Sequence, residues 1–354
     1  MILSIQYLRF IAALMVVIFH ATQSLHRDFG SDAIPSFPQG ARGVDIFFVI
    51  SGFIIVHVSQ NATYGGREFL YRRFSRVAPP YYLASAVMLA VAITAPQVLK
   101  STSLTLPHTV ASLLFIPWDN PTTAGTFPLL QVGWTLNAEM QFYAIFSLVF
   151  FLPIFYRTIA ASCIILSIVL IGLTWTSENS TLSAWTDTIL LEFILGMTLA
   201  ITWRNGFIGG GAVLGWSIVG VGSILLLGLP AGSDGLGKPF RFLISGVPAA
   251  IIIAGLLIVE KARPIREVTL LRLLGDASYA LYIWHFFVLG AVRVFWRYTD
   301  FQGIANDIIF ICSVVVISVS MSVFFYLWLE RPLVAFATWC FLGRRNGKQT
   351  NHAA

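Results

Sequence analysis

Residues 5–24 read IQYLRFIAALMVVIFHATQS, a run long enough to cross about 30 Å of hydrocarbon as one helix. Arg9 and His20 lie within this run, eleven residues apart. On a helix that spacing is about 20° more than three full turns, so the two side chains share a face, roughly 16 Å apart along the axis. A charged side chain at this depth costs on the order of 3 kcal/mol, so the pair predicts a polar site inside the bilayer.

The composition indicates a membrane protein with several spans. Of the 354 residues, 57% are hydrophobic and 11% are charged, and the mean hydropathy is +0.81. This is more apolar surface than a soluble core of this size can bury. The net charge of +6 comes from basic residues scattered between apolar runs, which is typical of membrane loops, so no nucleic-acid partner is expected.

Hydropathy predicts an all-α, polytopic integral membrane protein with about ten transmembrane helices. The predicted spans are 4–24, 43–59, 77–98, 134–154, 158–175, 184–203, 207–229, 241–260, 273–296 and 304–330. With the N-terminus in the cytoplasm, this threading puts twice as many Lys and Arg residues inside as outside. Both termini are therefore expected in the cytoplasm, by the positive-inside rule.

One membrane domain, residues 1–335, is expected to hold the whole site, and a short cytoplasmic tail follows at 336–354. The first run has no basic segment before it and no small-residue cleavage pattern after it, so we interpret it as a retained span. Cys163, Cys312 and Cys340 stand in apolar segments without C-x-x-C spacing. Neither a metal site nor a disulfide framework is predicted from them.

A basic cluster precedes the third span. Arg73 and Arg76 are three residues apart, so on a helix they project together and can clamp phosphate groups. The threading puts Arg9 on the same side of the membrane, and three guanidinium groups near one leaflet suit a ligand with several phosphates. A positive-inside anchor is the alternative interpretation.

Three titratable side chains are predicted near the depth of His20, in the outer half of the membrane. Glu139 enters the fourth span, Asp45 enters the second, and His285 lies past the middle of the ninth. Glu139 can orient the His20 imidazole and raise its basicity, and Asp45 and His285 are further candidates to orient it. The alternatives are structural: Glu139 can form a buried hydrogen bond and Asp45 an ion pair with Arg42. His285 can be a packing group.

Six motifs occur in order between the first span and residue 335. They are Arg9-x10-His20, GVDIFFVISGF at 43–53, RFSR at 73–76, WTLNAEMQFY at 134–143, SYALYIWH at 278–285 and ERP at 330–332. Together they resemble the acyltransferase 3 family of bacterial membrane acyltransferases, and most of all its exopolysaccharide O-acetyltransferase branch. The joint occurrence of the six is far more specific than any one of them.

The resemblance implies an O-acyltransferase in the bacterial cytoplasmic (inner) membrane. It implies an acyl-CoA donor, in the first place acetyl-CoA, used from the cytoplasm, and a glycan or lipid-linked oligosaccharide acceptor at the outer face, within membrane lipid. His20 matches the family's catalytic histidine and Arg9 its companion. Arg73 and Arg76 match the donor-associated Arg-x-x-Arg pair. No tightly bound cofactor and no metal is expected.

These expectations combine in one hypothesis. Coenzyme A phosphates bind the three arginines, and the pantetheine arm carries the thioester toward His20. His20 then acts as general base on an acceptor hydroxyl or takes the acyl group itself, and the residues do not choose between these routes. The Trp134 indole and the Asn137 amide are candidate donors to the oxyanion.

Two other functions fit the same pattern. A proton-coupled secondary transporter also has about ten spans with histidine, carboxylate and arginine at depth for a proton relay. An acyltransferase acting on a small secondary metabolite is the second alternative. Release of the coenzyme A thiol separates either enzyme from the transporter.

Overall fold

The computed structural model describes residues 2–99, 104–123, 125–175, 179–230, 240–299 and 303–343. Within these ranges every regular element is helical, which confirms the all-α, polytopic prediction. The helices are α1 (Leu3–Phe29), α2 (Gly43–Ser59), α3 (Gly66–Thr94), α4 (Leu106–Leu113), α5 (Trp134–Leu148), α6 (Ile154–Thr174), α7 (Ser180–Trp185), α8 (Leu191–Arg204), α9 (Ala212–Gly228), α10 (Val247–Ala262), α11 (Thr269–Asp276), α12 (Ser278–Trp296), α13 (Ile304–Phe325) and α14 (Arg331–Leu342).

Eight helical stretches of the described residues are long and apolar enough to cross a membrane. They are Leu3–Phe29, Pro38–Ser59, Gly66–Thr94, Ile154–Thr174, Ser180–Arg204, Phe242–Ala262, Ser278–Trp296 and Ile304–Phe341. Two further predicted spans correspond to shorter helices, α5 with 15 residues and α9 with 17. The count of ten spans and the cytoplasmic position of both termini stay predictions.

Helix α1 lies against α2, α11, α12 and α13. One buried stripe of α1, which packs on α12 and α13, consists of Ala13, Val17, Ala21 and Leu25. A second stripe, which belongs to the main core, consists of Ile5, Leu8, Ala12 and Val16. At 3.6 residues per turn, Arg9 and His20 fall between these two stripes. The polar pair is therefore turned toward the seam between two apolar cores.

The third predicted span begins earlier than expected. Its predicted start was residue 77, after the basic cluster, yet α3 starts at Gly66 and runs through Pro79 and Pro80. A proline removes a main-chain donor, which leaves carbonyl groups of the preceding turn short of partners. Tyr279 of α12 donates its hydroxyl to the Val77 carbonyl oxygen at 2.7 Å, which ties this part of α3 to α12. The basic cluster is thus part of the spanning helix itself.

The sixth predicted span, 184–203, is interrupted near its start. Helix α7 ends at Trp185, and the Asp187 carboxylate accepts a hydrogen bond from the Ile189 amide at 2.9 Å. This side chain caps a 3-10 turn, Thr188–Leu190, that leads into α8. A short acidic residue competes with helical hydrogen bonding in this way, which explains the break.

The last helix extends beyond the predicted domain end at 335. A π-helical turn, Tyr326–Glu330, joins α13 to α14, so residues 336–342 of the predicted tail are helical. Pro332 follows this turn by two residues. Its missing N–H and its bulky ring disfavour ordinary α-helical bonding there. Phe341 packs on the Tyr71 ring, with centroids 5.7 Å apart. Residues 344–354 lie outside the described residues.

Helices α2 and α8 approach closely through two glycines. A Cβ atom at Gly52 would lie 2.3 Å from the carbonyl oxygen of Phe193. One at Gly196 would lie 2.0 Å from the carbonyl oxygen of Val49. Small residues at such crossings allow main chains to touch, which is a principal source of helix association in membranes. This contact positions α2, which carries Asp45 and Ser51.

We expect Gly196→Ala to lower the melting temperature in detergent by several degrees, because the new Cβ pushes α8 away from α2. Overpacking of this kind costs about 1–3 kcal/mol. The matched control is Gly220→Ala in α9, where a Cβ meets nothing within 4 Å. Equal melting temperatures for the two variants would contradict the close approach.

Candidate active site

A cavity of about 100 Å³ lies among α1, α2, α3, α5 and α12. Its charged lining residues are Arg9, Arg73, Arg76 and Glu139. Its hydroxyl-bearing lining residues are Ser51, Thr135, Tyr143, Tyr279 and Tyr282. The rest of the wall is apolar, so the polar groups converge on one enclosed region of the bundle.

Three arginines from two helices share this cavity. Arg9 comes from α1, and Arg73 and Arg76 come from α3, where the i, i+3 spacing turns both inward. The Nε atom of Arg73 is buried and has no hydrogen-bond partner among the described residues. Arg9 donates to the Gln6 side-chain oxygen at 3.3 Å. Donors held in this way suit an anionic ligand.

The neighbouring Arg72 is held away from the cavity. Its guanidinium group pairs with the Glu68 carboxylate at 2.6 Å and lies over the Tyr64 ring at 4.8 Å. It does not line the cavity. Two consecutive arginines of α3, Arg72 and Arg73, thus have different surroundings.

Glu139 faces the arginines rather than His20, which corrects the expected pair. Its carboxylate accepts a hydrogen bond from the Ser51 hydroxyl at 2.8 Å and another from the Tyr143 hydroxyl. Tyr143 lies one turn further along α5, on the same face as Glu139. The rotation of α5 about its own axis therefore decides which side chains Glu139 contacts. The predicted depth of Glu139 in the membrane gives no information on that rotation.

His20 lies beside His285, one of its three expected partners. The ring centroids are 5.4 Å apart and the planes are inclined by 27°. His285 is buried, and its Nδ1 atom is 2.7 Å from the Tyr282 carbonyl oxygen and 3.2 Å from that of Leu281. Because carbonyl oxygens only accept, Nδ1 carries the proton. In the neutral ring Nε2 then keeps its lone pair, and this buried atom has no partner among the described residues.

Asp45 forms an ion pair, but not with Arg42. Its carboxylate accepts from Nε and Nη2 of Arg241 at 2.9 and 3.0 Å, a two-pronged arrangement. Arg42 instead donates to the carbonyl oxygens of residues 226, 229 and 230 at the end of α9. Main-chain carbonyls at a helix C-terminus attract a cation, which explains this choice. No described hydrogen bond joins Asp45 to His20.

Two further carboxylates, those of Glu192 and Glu330, are influenced by the charged side chains described above. Glu192 is fully buried, and Asp45 and Arg241 act on it electrostatically. Glu330, from the terminal ERP motif, is half-buried at the end of the π turn, and the charges of Arg76 and Arg9 act on it. Glu330 thus lies within electrostatic range of two cavity arginines.

The hydroxyl groups around the cavity were not identified from the sequence. The Thr135 and Tyr282 hydroxyls are 3.0 Å apart, and Tyr143 bonds Glu139. Thr135, Tyr143 and Tyr282 each belong to one of the six motifs. A polar side chain inside an apolar helix is the sequence feature that could have identified them. Trp134 and Asn137 do not line the cavity, and their role toward an oxyanion stays a prediction.

The three cysteines are free thiols in the structure. In the part of the chain that the structure describes, no three His, Cys, Asp or Glu side chains are grouped as a metal site.

Comparison with known proteins shows which family this chain is similar to. A family model described as an acyltransferase domain matches residues 2–327. The exopolysaccharide production protein ExoZ of Rhizobium meliloti is 34% identical over 302 residues, which cover 84% of this chain and 90% of that protein. No solved structure matches the chain.

Two longer relatives are more distant. The peptidoglycan O-acetyltransferase OatA of Listeria monocytogenes is 26% identical over 320 residues, 80% of this chain and 48% of that protein. The O-acetyltransferase OatA of Staphylococcus aureus is 27% identical over 342 residues, 87% of this chain and 55% of that protein. The chain spans about half the length of these two relatives.

The matched region contains the arginine cavity and the histidine pair, and its family is the one that the six motifs resemble. The chain therefore belongs to the acyltransferase 3 family.

Proposed function

We propose that this chain is an O-acetyltransferase that moves an acetyl group from cytoplasmic acetyl-CoA to hydroxyl groups of an exported or surface glycan. Its family supports acyl transfer. The names of two relatives, an exopolysaccharide production protein and a peptidoglycan O-acetyltransferase, support an acetyl donor and a glycan acceptor. The many apolar helices support a multi-pass membrane location, which we assign to the bacterial cytoplasmic membrane.

One observation carries the proposal: the arginine cavity extends to Tyr282, and the Tyr282 ring adjoins the histidine pair. The centroids of Tyr282 and His285 are 6.1 Å apart, and those of His285 and His20 are 5.4 Å apart. Groups that bind anions and groups that accept protons therefore occupy neighbouring parts of one bundle.

The donor end is the arginine cavity. Phosphate groups of acetyl-CoA bind Arg73 and Arg76, with Arg9 as the third cation, through charge-assisted hydrogen bonds. Arg9 and His20 are roughly 16 Å apart along α1, about half of a bilayer's hydrocarbon thickness. The flexible pantetheine arm covers this distance and brings the thioester toward the histidines.

The reacting end is the histidine pair. The acceptor hydroxyl oxygen bonds to the thioester carbonyl carbon, and the carbon–sulfur bond breaks. The hydroxyl proton passes to His20 and then to the departing thiolate, so the products are the O-acetyl ester and coenzyme A. His285, whose Nδ1 proton is committed to main-chain oxygens, presents Nε2 as a second acceptor beside His20.

A covalent route uses the same residues. In that route His20 takes the acetyl group first and passes it to the hydroxyl in a second step. With radiolabelled acetyl-CoA and a deoxy analogue of the acceptor that cannot be acetylated, label that stays on the wild-type protein but not on His20→Ala selects the covalent route. Absence of label on both selects direct transfer.

An exopolysaccharide unit is the acceptor that the relatives favour, because the match to ExoZ covers most of both chains. The unit is presented at the outer face, free or on a lipid carrier. The small-metabolite alternative is separated from it by mass analysis of the surface glycan from a deletion strain. The transporter alternative has no support from the family.

Replacing Arg73 with alanine is expected to raise the KM for acetyl-CoA about 10- to 100-fold with a smaller effect on kcat, because a charge-assisted hydrogen bond to phosphate is lost. Arg72→Ala is the matched control, since Arg72 bonds Glu68 outside the cavity. Coenzyme A thiol release from purified protein in proteoliposomes, at varied acetyl-CoA, measures both. Equal KM values for the two variants would place the donor phosphates elsewhere.

Replacing His20 with alanine is expected to lower acceptor-dependent thiol release by about 10²- to 10⁴-fold, the usual contribution of a general base. His26→Ala is the control on the same helix, because His26 pairs with the exposed Asp32 near the end of α1. Thiol release that persists at the wild-type rate in His20→Ala would refute the proposed chemistry.

A further inference from the structure

The arginine cavity ends at a tyrosine. Thr135 and Tyr282 line it, but neither His20 nor His285 does. The Tyr282 ring has its centroid 6.1 Å from that of His285 and 6.2 Å from that of Phe47, another lining residue. Tyr282 is therefore a cavity residue that adjoins the histidine pair, and the cavity itself does not reach either imidazole in this structure.

A small hydrogen-bond network holds the ring in place. The Tyr282 hydroxyl is 3.0 Å from the Thr135 hydroxyl and 3.0 Å from the Val132 carbonyl oxygen. Thr135 also reaches that carbonyl, at 3.1 Å. Both side chains are buried, so these contacts are made away from bulk water. The network ties α12 to the start of α5.

Separation of the donor cavity from the histidine pair protects the thioester from water in the proposed reaction. A donor used from the cytoplasm and an acceptor used from outside would otherwise meet in an open polar path. Water in that path can add to the thioester carbonyl, breaking the carbon–sulfur bond to give acetate and the coenzyme A thiol. Exclusion of water until the acceptor is bound is what prevents this loss in enzymes with reactive intermediates.

We propose that Tyr282 and Thr135 form a partition that separates the donor cavity from the histidine pair and opens when the acceptor binds. This inference rests on the proposed function and adds two positioning residues to it. Opening requires only that the Tyr282 ring leave the Thr135 and Val132 contacts. His285 Nδ1 bonds the main-chain carbonyl oxygen of Tyr282 and not its side chain, so this hydrogen bond persists when the ring moves.

The test measures thiol release from acetyl-CoA without acceptor, by purified full-length protein in proteoliposomes. Tyr282→Phe and Thr135→Val each remove a hydroxyl from the network. Both are expected to raise acceptor-free thiol release on the order of fivefold, the factor that one net hydrogen bond contributes to an opening equilibrium. Thr135→Ser keeps a hydroxyl and is expected to stay at the wild-type rate.

Tyr82→Phe is the matched control. Tyr82 is half-buried, donates its hydroxyl to the Leu113 carbonyl oxygen at 2.9 Å, and does not line the cavity. Its acceptor-free rate is expected to equal that of the wild type. A gain of hydrolysis in Tyr282→Phe alone among the tyrosine variants supports the partition, because general loss of stability lowers activity rather than raising it.

The proposal is overturned if Tyr282→Phe and Thr135→Val hydrolyse acetyl-CoA no faster than the wild type, or if Thr135→Ser hydrolyses it as fast as Thr135→Val. Failure of the proposed function has a different signature, because wild-type protein then shows no His20-dependent thiol release even with a glycan acceptor. The two failures are read from separate arms of one assay.

Discussion

The cost of a polar group in hydrocarbon is the constraint on which this structure depends. Charged side chains within a membrane must face the protein interior and find partners there. Helix α1 meets the requirement with two buried apolar stripes, between which Arg9 and His20 are turned inward. Two other charged side chains find partners within the bundle: Asp45 binds Arg241, and Arg42 binds main-chain oxygens. In the cavity, the buried Nε of Arg73 has no hydrogen-bond partner among the described residues.

Hydropathy predicts the helices well because the apolar length of a segment is a local property of the sequence. It misplaces their ends where a distant group changes the local preference. Pro79 and Pro80 signal a helix boundary, yet α3 runs through both, and there the Tyr279 hydroxyl, some two hundred residues further along the chain, bonds the Val77 carbonyl oxygen and ties α3 to α12. Asp187 acts in the opposite sense, because its side chain ends a segment whose hydropathy would have continued.

The same distinction applies to the site. The shared face of Arg73 and Arg76 follows from helical spacing alone, so it was predictable. Partner choice was not, because it depends on how each helix is rotated against its neighbours. Glu139 and His285 enter at similar depths, yet only His285 adjoins His20. Sequence position gives depth along the membrane normal, and rotation about that normal becomes known only when the helices are packed.

Tyr282 explains why the spacing Tyr-x-x-His within α12 matters. Three residues apart on a helix, the ring and the imidazole lie on one face about one turn apart. The Tyr282 carbonyl oxygen accepts from His285 Nδ1, while its hydroxyl binds α5 through Thr135 and Val132. The proton position on His285 is thus set by the main chain, and access to the imidazole is set by a side chain. Because the two are controlled by different atoms, His285 can keep its Nε2 lone pair while the proposed partition between the cavity and the histidine pair closes and opens.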